Sequence, residues 1–127
     1  MRKITDHKVN GLNDALEVTA LDEPGSGGAN HVYEIIIPDS VPLKPGTTVY
    51  SIVNFQNGPI ASPADFNGIT NEALLAVIID RMRGFQSGPF ACRENALALT
   101  KLEEAMMWLQ FRTRDRVARG VEGTLKP

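Results

Sequence analysis

The last third of the chain carries the pattern that most constrains the fold, two stretches of helical period separated by a short glycine-bounded loop. From Asn71 to Arg83 the residues Leu74, Leu75, Ile78, Ile79 and Met82 form an apolar stripe at three- and four-residue spacing. Thr70 is placed as the N-cap, Glu72 puts a negative charge in the first turn, and Gly84 offers the stop. A second stretch starts between Pro89 and Arg93 and runs to about Arg119, with Leu99, Leu102, Met106 and Leu109 on one face. At 1.5 Å per residue it spans roughly 40 Å. The loop between them, Gly84 to Phe90, is short enough to make the two helices antiparallel. The second arm is about twice as long as the first, so its distal half needs the rest of the chain or another chain to pack against, and an oligomer is expected.

The front of the chain reads differently. Leu16, Val18 and Ala20 alternate with Glu17 and Thr19, and Val32 to Ile37 is a β-branched, aromatic run ending at Pro38. Thr47 to Phe55 is a further strand candidate, closed by the turn signal Asn57-Gly58. Residues 1 to 14 have little periodicity apart from a possible turn at Asn10-Gly11, and they read as a loosely assigned arm. Pro24-Gly25-Ser26-Gly27-Gly28 has the glycines of a phosphate cradle, but a strand pattern follows it where a phosphate loop needs a helix, which favours a wide hairpin turn. The expected fold class is α+β: a small antiparallel sheet lobe over 1–67, then a helical hairpin over 68–127, in one domain of two lobes. A sheet of three or four strands is marginal alone and needs cover on its apolar face.

Composition narrows the function classes. The chain has 127 residues, 43% hydrophobic and 22% charged, ordinary for a folded domain. Net charge is −2, unevenly spread: residues 1–80 hold four basic against ten acidic side chains (−6), and residues 81–127 hold nine against five (+4). A positive patch on an acidic protein suits a small anion better than long nucleic acid. Cys92 is the single cysteine, which excludes an internal disulfide and multi-cysteine metal sites. No run approaches the roughly 18 apolar residues of a membrane span, and no signal-peptide core follows Met1, so an intracellular protein is expected.

Two constellations could carry chemistry. Arg112, Arg116 and Arg119 recur at helical spacing with Arg114 beside them. Cations at a helix C-terminus are favoured by the dipole, and Asp115 can pair with Arg112 and Arg119, so a structural role is open. The alternative is an anion clamp, since guanidinium forks suit phosphates. Phe85, Phe90 and Asn95 flank the hairpin turn, where a ring can stack on a base and an amide can read a base edge or ribose. Plugging the open end of the hairpin is the ordinary alternative for the rings. Asn95 and Arg112 are 17 residues apart, roughly 25 Å along a helix, so one small ligand cannot touch both in a single chain. Catalysis has little support. His7 and His31 are isolated, Cys92 has no histidine at a diagnostic spacing, Glu103-Glu104 suit a solvated face, and no metal motif is present. Met82, Met106, Met107 and Trp108 suit core or interface.

The run from Gly68 through Asp80-Arg81-Met82-Arg83-Gly84-Phe85-Gln86-Ser87-Gly88-Pro89-Phe90-Ala91-Cys92-Arg93-Glu94-Asn95 and on to Arg112-Thr113-Arg114-Asp115-Arg116 resembles the phage anti-Thoeris sponges of the first described type. That family shares its helical hairpin with phage anti-CBASS sponges. The resemblance is close over about the last 55 residues; Asn54 to Pro59 and the preceding strands are similar less specifically. It implies a protein without enzymatic activity or cofactor, acting in the cytoplasm of an infected bacterium. Such a protein sequesters cyclic nucleotide immune signals, namely glycocyclic ADP-ribose in Thoeris and cyclic di- and trinucleotides in CBASS. It further implies that Phe85 and Asn95 belong to a pocket for glycocyclic ADP-ribose and cyclic dinucleotides. Arg112 and Arg116 would belong to a separate cyclic trinucleotide site where chains converge in a homo-oligomer, dimer or hexamer. A phosphodiesterase that destroys the same signals is the enzymatic alternative. A hairpin binding RNA or DNA is a third, disfavoured by the net negative charge.

Overall fold

The computed structural model describes residues 1–9, 11, 13–38, 40–47 and 49–127. They form two compact units, Met1–Gly58 and Pro59–Pro127. The architecture is α+β, a four-stranded antiparallel sheet followed in sequence by two helices, the second of them long.

In the first unit, strands β1 (Arg2–Ile4), β2 (Glu17–Ala20), β3 (Val32–Ile36) and β4 (Tyr50–Asn54) lie in the order in which they occur along the chain. The registers Ile4↔Val18, Val18↔Ile35 and Tyr33↔Val53 place those residues on one face, with Ala20, which is fully buried. Phe55 extends this face and meets Tyr33 edge-on at 5.7 Å between ring centroids. The registers Lys3↔Thr19 and Thr19↔Glu34 define the opposite face, where Lys3 pairs with Glu17 at 3.1 Å. β1 occupies the segment that periodicity left unassigned. Three residues are too few to show alternation, and pairing with β2 is what makes them a strand. β4 covers the centre of the run expected from Thr47 to Phe55. Thr48 in that run, and Asn10 of the expected Asn10-Gly11 turn, lie outside the described residues.

The glycine-rich segment is the connection from β2 to β3. Its anchor is Asp22, whose carboxylate accepts the backbone N–H groups of His31 (3.0 Å) and Val32 (3.1 Å). Burial acts to raise the Asp22 pKa and is outweighed by these backbone donors and by the Asn30 side chain, so the carboxyl titrates below its usual range. Gly25 passes so close to His31 that a Cβ there would lie 2.8 Å from the ring, which explains glycine at that position.

In the second unit, α1 (Asn71–Gln86) and α2 (Arg93–Ala118) pack as an antiparallel hairpin. Thr70 caps α1 as expected, its hydroxyl accepting the Ala73 N–H at 3.1 Å. The expected stop at Gly84 is corrected: α1 continues to Gln86 and closes at Ser87, whose N–H donates to the Arg83 carbonyl at 3.0 Å and whose hydroxyl donates to the Gly84 carbonyl at 2.8 Å. A glycine inside a helix costs only about 1 kcal/mol relative to alanine, and Gly84 is not among the glycines with positive φ, so the left-handed stop is not used.

The seam between the helices follows a three-four rhythm. Leu75, Ile79 and Met82 on α1, and Leu99, Leu102, Met106 and Leu109 on α2, are buried or half-buried. Ile78, expected in this stripe, is 40% exposed because it lies one position off the Leu75, Ile79, Met82 row. Ile79 is the one buried hydrophobic residue among the described residues of this unit, so the seam is thinly covered.

Candidate ligand sites at the two ends of the hairpin

Continued through α2, the seam rhythm passes Asn95, Leu99, Leu102, Met106, Leu109, Thr113 and Arg116, which puts an amide at one end of an apolar row and a guanidinium at the other. The turn end is built around the start of α2. Cys92 is its N-cap, with Sγ accepting the Asn95 N–H at 3.4 Å. The Gln86 side chain reaches from the end of α1 to accept the Cys92 N–H at 3.1 Å, which ties the two helix ends across the loop. Asn95 thereby sits in the first turn of α2, half-buried, where backbone N–H groups and the helix dipole favour an anion. Phe85, on the last turn of α1, is 36% exposed, and the Arg81 guanidinium lies over its ring at 5.3 Å. Phe90 in the loop is 72% exposed, so neither ring is consumed by the hairpin interior. The end therefore presents two rings, a cation, an amide and helix N–H groups, a set able to stack on a base and hold a phosphate.

The arginine end divides in two. Arg112 is exposed and makes no ion pair among the described residues. Arg116 is 6% exposed, and all three of its guanidinium nitrogens donate within the chain. Nε donates to Glu122 at 3.2 Å, Nη1 to the Lys126 carbonyl at 2.6 Å, and Nη2 to the carbonyls of Val121 at 2.9 Å and Thr124 at 3.0 Å. Asp115 pairs with Arg119 at 3.0 Å. Its other expected partner, Arg112, is not paired with it, and a single carboxylate already committed to Arg119 leaves Arg112 without an ion pair among the described residues. Arg112 and Arg116 share a helix face by spacing, but only Arg112 offers its guanidinium outward.

Sequence reasoning missed the segment 121–126 that folds back on Arg116. Its signal was the glycine pair Gly120 and Gly123, both at positive φ (73° and 77°), which turns the chain back after α2. It also missed Arg81, although the four-residue spacing to Phe85 was legible. Glu103 and Glu104 are exposed as expected. Glu103 forms an ion pair with Arg83 across the hairpin at 2.8 Å. Among the described residues no cluster of His, Cys, Asp or Glu is arranged to hold a metal, and no helix is long and apolar enough to cross a membrane.

The family described as the Acb2/Tad1 hairpin domain matches residues 50–113, which covers β4, α1 and most of α2. The Thoeris anti-defense 1 protein of Bacillus phage SBSphiJ7 is 57% identical over 72 residues, which amount to 57% of this chain and 50% of that protein. The chain thus spans about half the length of this relative.

Proposed function

Because the chain belongs to the Acb2/Tad1 hairpin-domain family, we propose that it is a phage anti-defence protein that sequesters cyclic nucleotide immune signals without cleaving them. The observation that carries this reading is the hairpin itself, which holds a stacking and amide-bearing end, built from both helices, apart from a cationic end on α2. At the turn end, Phe85 stacks on a base and Asn95 reads a base edge or ribose of glycocyclic ADP-ribose or a cyclic dinucleotide. At the far end Arg112, with Arg116, meets the phosphates of a cyclic trinucleotide. Neither set performs bond cleavage; each binds an anionic ring that carries planar bases.

Enclosure follows from the task. A sponge competes with a host receptor and needs slow release, which comes from burying the ligand between protein surfaces. Leu97, Met107, Trp108 and Phe111 are 47%, 51%, 58% and 58% exposed on α2, on the side away from the seam. Trp108 and Phe111 stack edge-on at 6.0 Å. Such an apolar patch on a thinly covered hairpin is suited to a second copy of the chain. The protein then works as a homo-oligomer, dimer or hexamer, in the cytoplasm of the infected bacterium.

The test is recovery of the ligand. Protein is incubated with glycocyclic ADP-ribose, a cyclic dinucleotide and a cyclic trinucleotide, separated from free ligand, denatured by heat, and the supernatant chromatographed. Intact ligand is expected. Linear products would identify a phosphodiesterase, and absence of any retained ligand would remove the sponge reading.

A further inference from the structure

The proposed trinucleotide site needs Arg116, yet Arg116 is engaged. Every nitrogen of its guanidinium donates to the segment 121–126. Three carbonyls and one carboxylate converge on one guanidinium, a donor and acceptor pattern like that of an oxyanion held by arginine, with Glu122 standing where a phosphate oxygen would. The segment is shaped for this: Gly120 (φ 73°) reverses the chain after α2, the Val121 N–H donates to the Arg116 carbonyl at 3.0 Å, and the Thr124 N–H donates to the Val121 carbonyl at 3.1 Å. Gly123 (φ 77°) seats the strap against the chain before α1, where an added Cβ would lie 2.9 Å from the Ile60 carbonyl oxygen.

We infer that the segment 121–126 is an internal competitor for Arg116, and that Glu122 is the residue that sets which anions enter the arginine end. This inference rests on the proposed binding of cyclic nucleotides. Arg112 stays open and makes the first contact with a phosphate. Arg116 joins only when the ligand replaces the bonds that the strap supplies. A single phosphate can replace the strap at only one guanidinium, whereas a ring carrying several phosphates can engage both arginines at once. The strap thus favours rings that carry several phosphates over abundant mononucleotides that carry one. It also keeps Arg116 satisfied when no ligand is present, since a buried guanidinium without partners is strongly destabilising.

The test uses the full chain with cyclic tri-AMP as the probe, followed by calorimetry and by hydrogen exchange of the amides of residues 121–126. In the unaltered protein, adding cyclic tri-AMP is expected to speed exchange in the strap; exchange that slows or does not change overturns the inference. Glu122→Gln, which keeps the shape and removes the charge, is expected to tighten cyclic tri-AMP binding several-fold and to reduce discrimination against AMP. Gly123→Val, which has neither the φ nor the room, is expected to free the strap and tighten binding by about tenfold (about 1.4 kcal/mol). Faster strap exchange with unchanged or weaker binding would make Arg116 a purely structural anchor. If Gly123→Val does not fold, Glu122→Gln and the unaltered protein decide the matter. Should no cyclic nucleotide bind at all, the proposed function fails, and tripolyphosphate tests the strap by itself. Tighter tripolyphosphate binding to Glu122→Gln than to the unaltered chain supports the strap, and equal binding overturns it.

Discussion

At the scale of single residues, position along α2 separates the two proposed sites. Asn95 and Arg112 stand 17 residues apart, roughly 25 Å on a helix, and nothing in one chain shortens that distance. Asn95→Ala removes a side-chain amide and leaves the backbone N–H that donates to Cys92 Sγ, so the helix cap survives. It is expected to weaken glycocyclic ADP-ribose binding by about tenfold or more, on the order of 1–3 kcal/mol for an unpaired polar partner, and to leave cyclic trinucleotide binding unchanged. Arg112→Ala is expected to do the reverse. Titration of both ligands against both variants checks the pair, and equal loss of the two ligands in either variant, with oligomeric state unchanged, would refute two separate sites. The residue types of these sites were legible in the sequence. Their availability was not: Arg112 and Arg116 look alike on a helical wheel, and only the fold-back of 121–126 distinguishes the open guanidinium from the buried one.

At the scale of elements, the helices were legible because α1 carries its own cap and both helices carry an apolar row at helical spacing. Thr70 caps α1, and the three-four spacing of Leu99, Leu102, Met106 and Leu109 fixes the buried face of α2, whose start the sequence bounded only between Pro89 and Arg93 and whose cap at Cys92 only the structure located. The end of α1 was misplaced by the width of Gly84 to Gln86, since glycine permits a stop without requiring one. β1 was invisible because a three-residue strand exists through its partner. The β2–β3 connection carries a pH-dependent element. The Asp22 pKa is lowered in the folded chain, so its contribution to stability is present above the unfolded carboxyl pKa and is lost as pH falls through the lower folded value. Asp22→Asn is therefore expected to lower the melting temperature at pH 7 by a few degrees and to flatten its fall on acidification. Thermal melts followed by circular dichroism from pH 7 to pH 3 read this out. A variant that loses stability on acidification as steeply as the parent would show that Asp22 does not hold the connection.

For the whole molecule, exposed rings count for more than buried ones. Trp108 and Phe111, both 58% exposed and on the α2 side opposite the seam, form the patch proposed for a second copy. Trp108→Glu combined with Phe111→Glu is expected to raise the concentration needed for assembly by about tenfold or more while the helix signal of the hairpin is retained. Native mass spectrometry and sedimentation give the mass, and an unaltered mass distribution would place the interface elsewhere. The sequence by itself determined the α+β class and the antiparallel hairpin. Those follow from local propensity, capping and periodicity, all of which act over a few residues. Tertiary structure alone decided the pairing of β1 and the opposite fates of Arg112 and Arg116. Each of these depends on which distant backbone groups arrive beside a side chain, and spacing along the chain does not encode that.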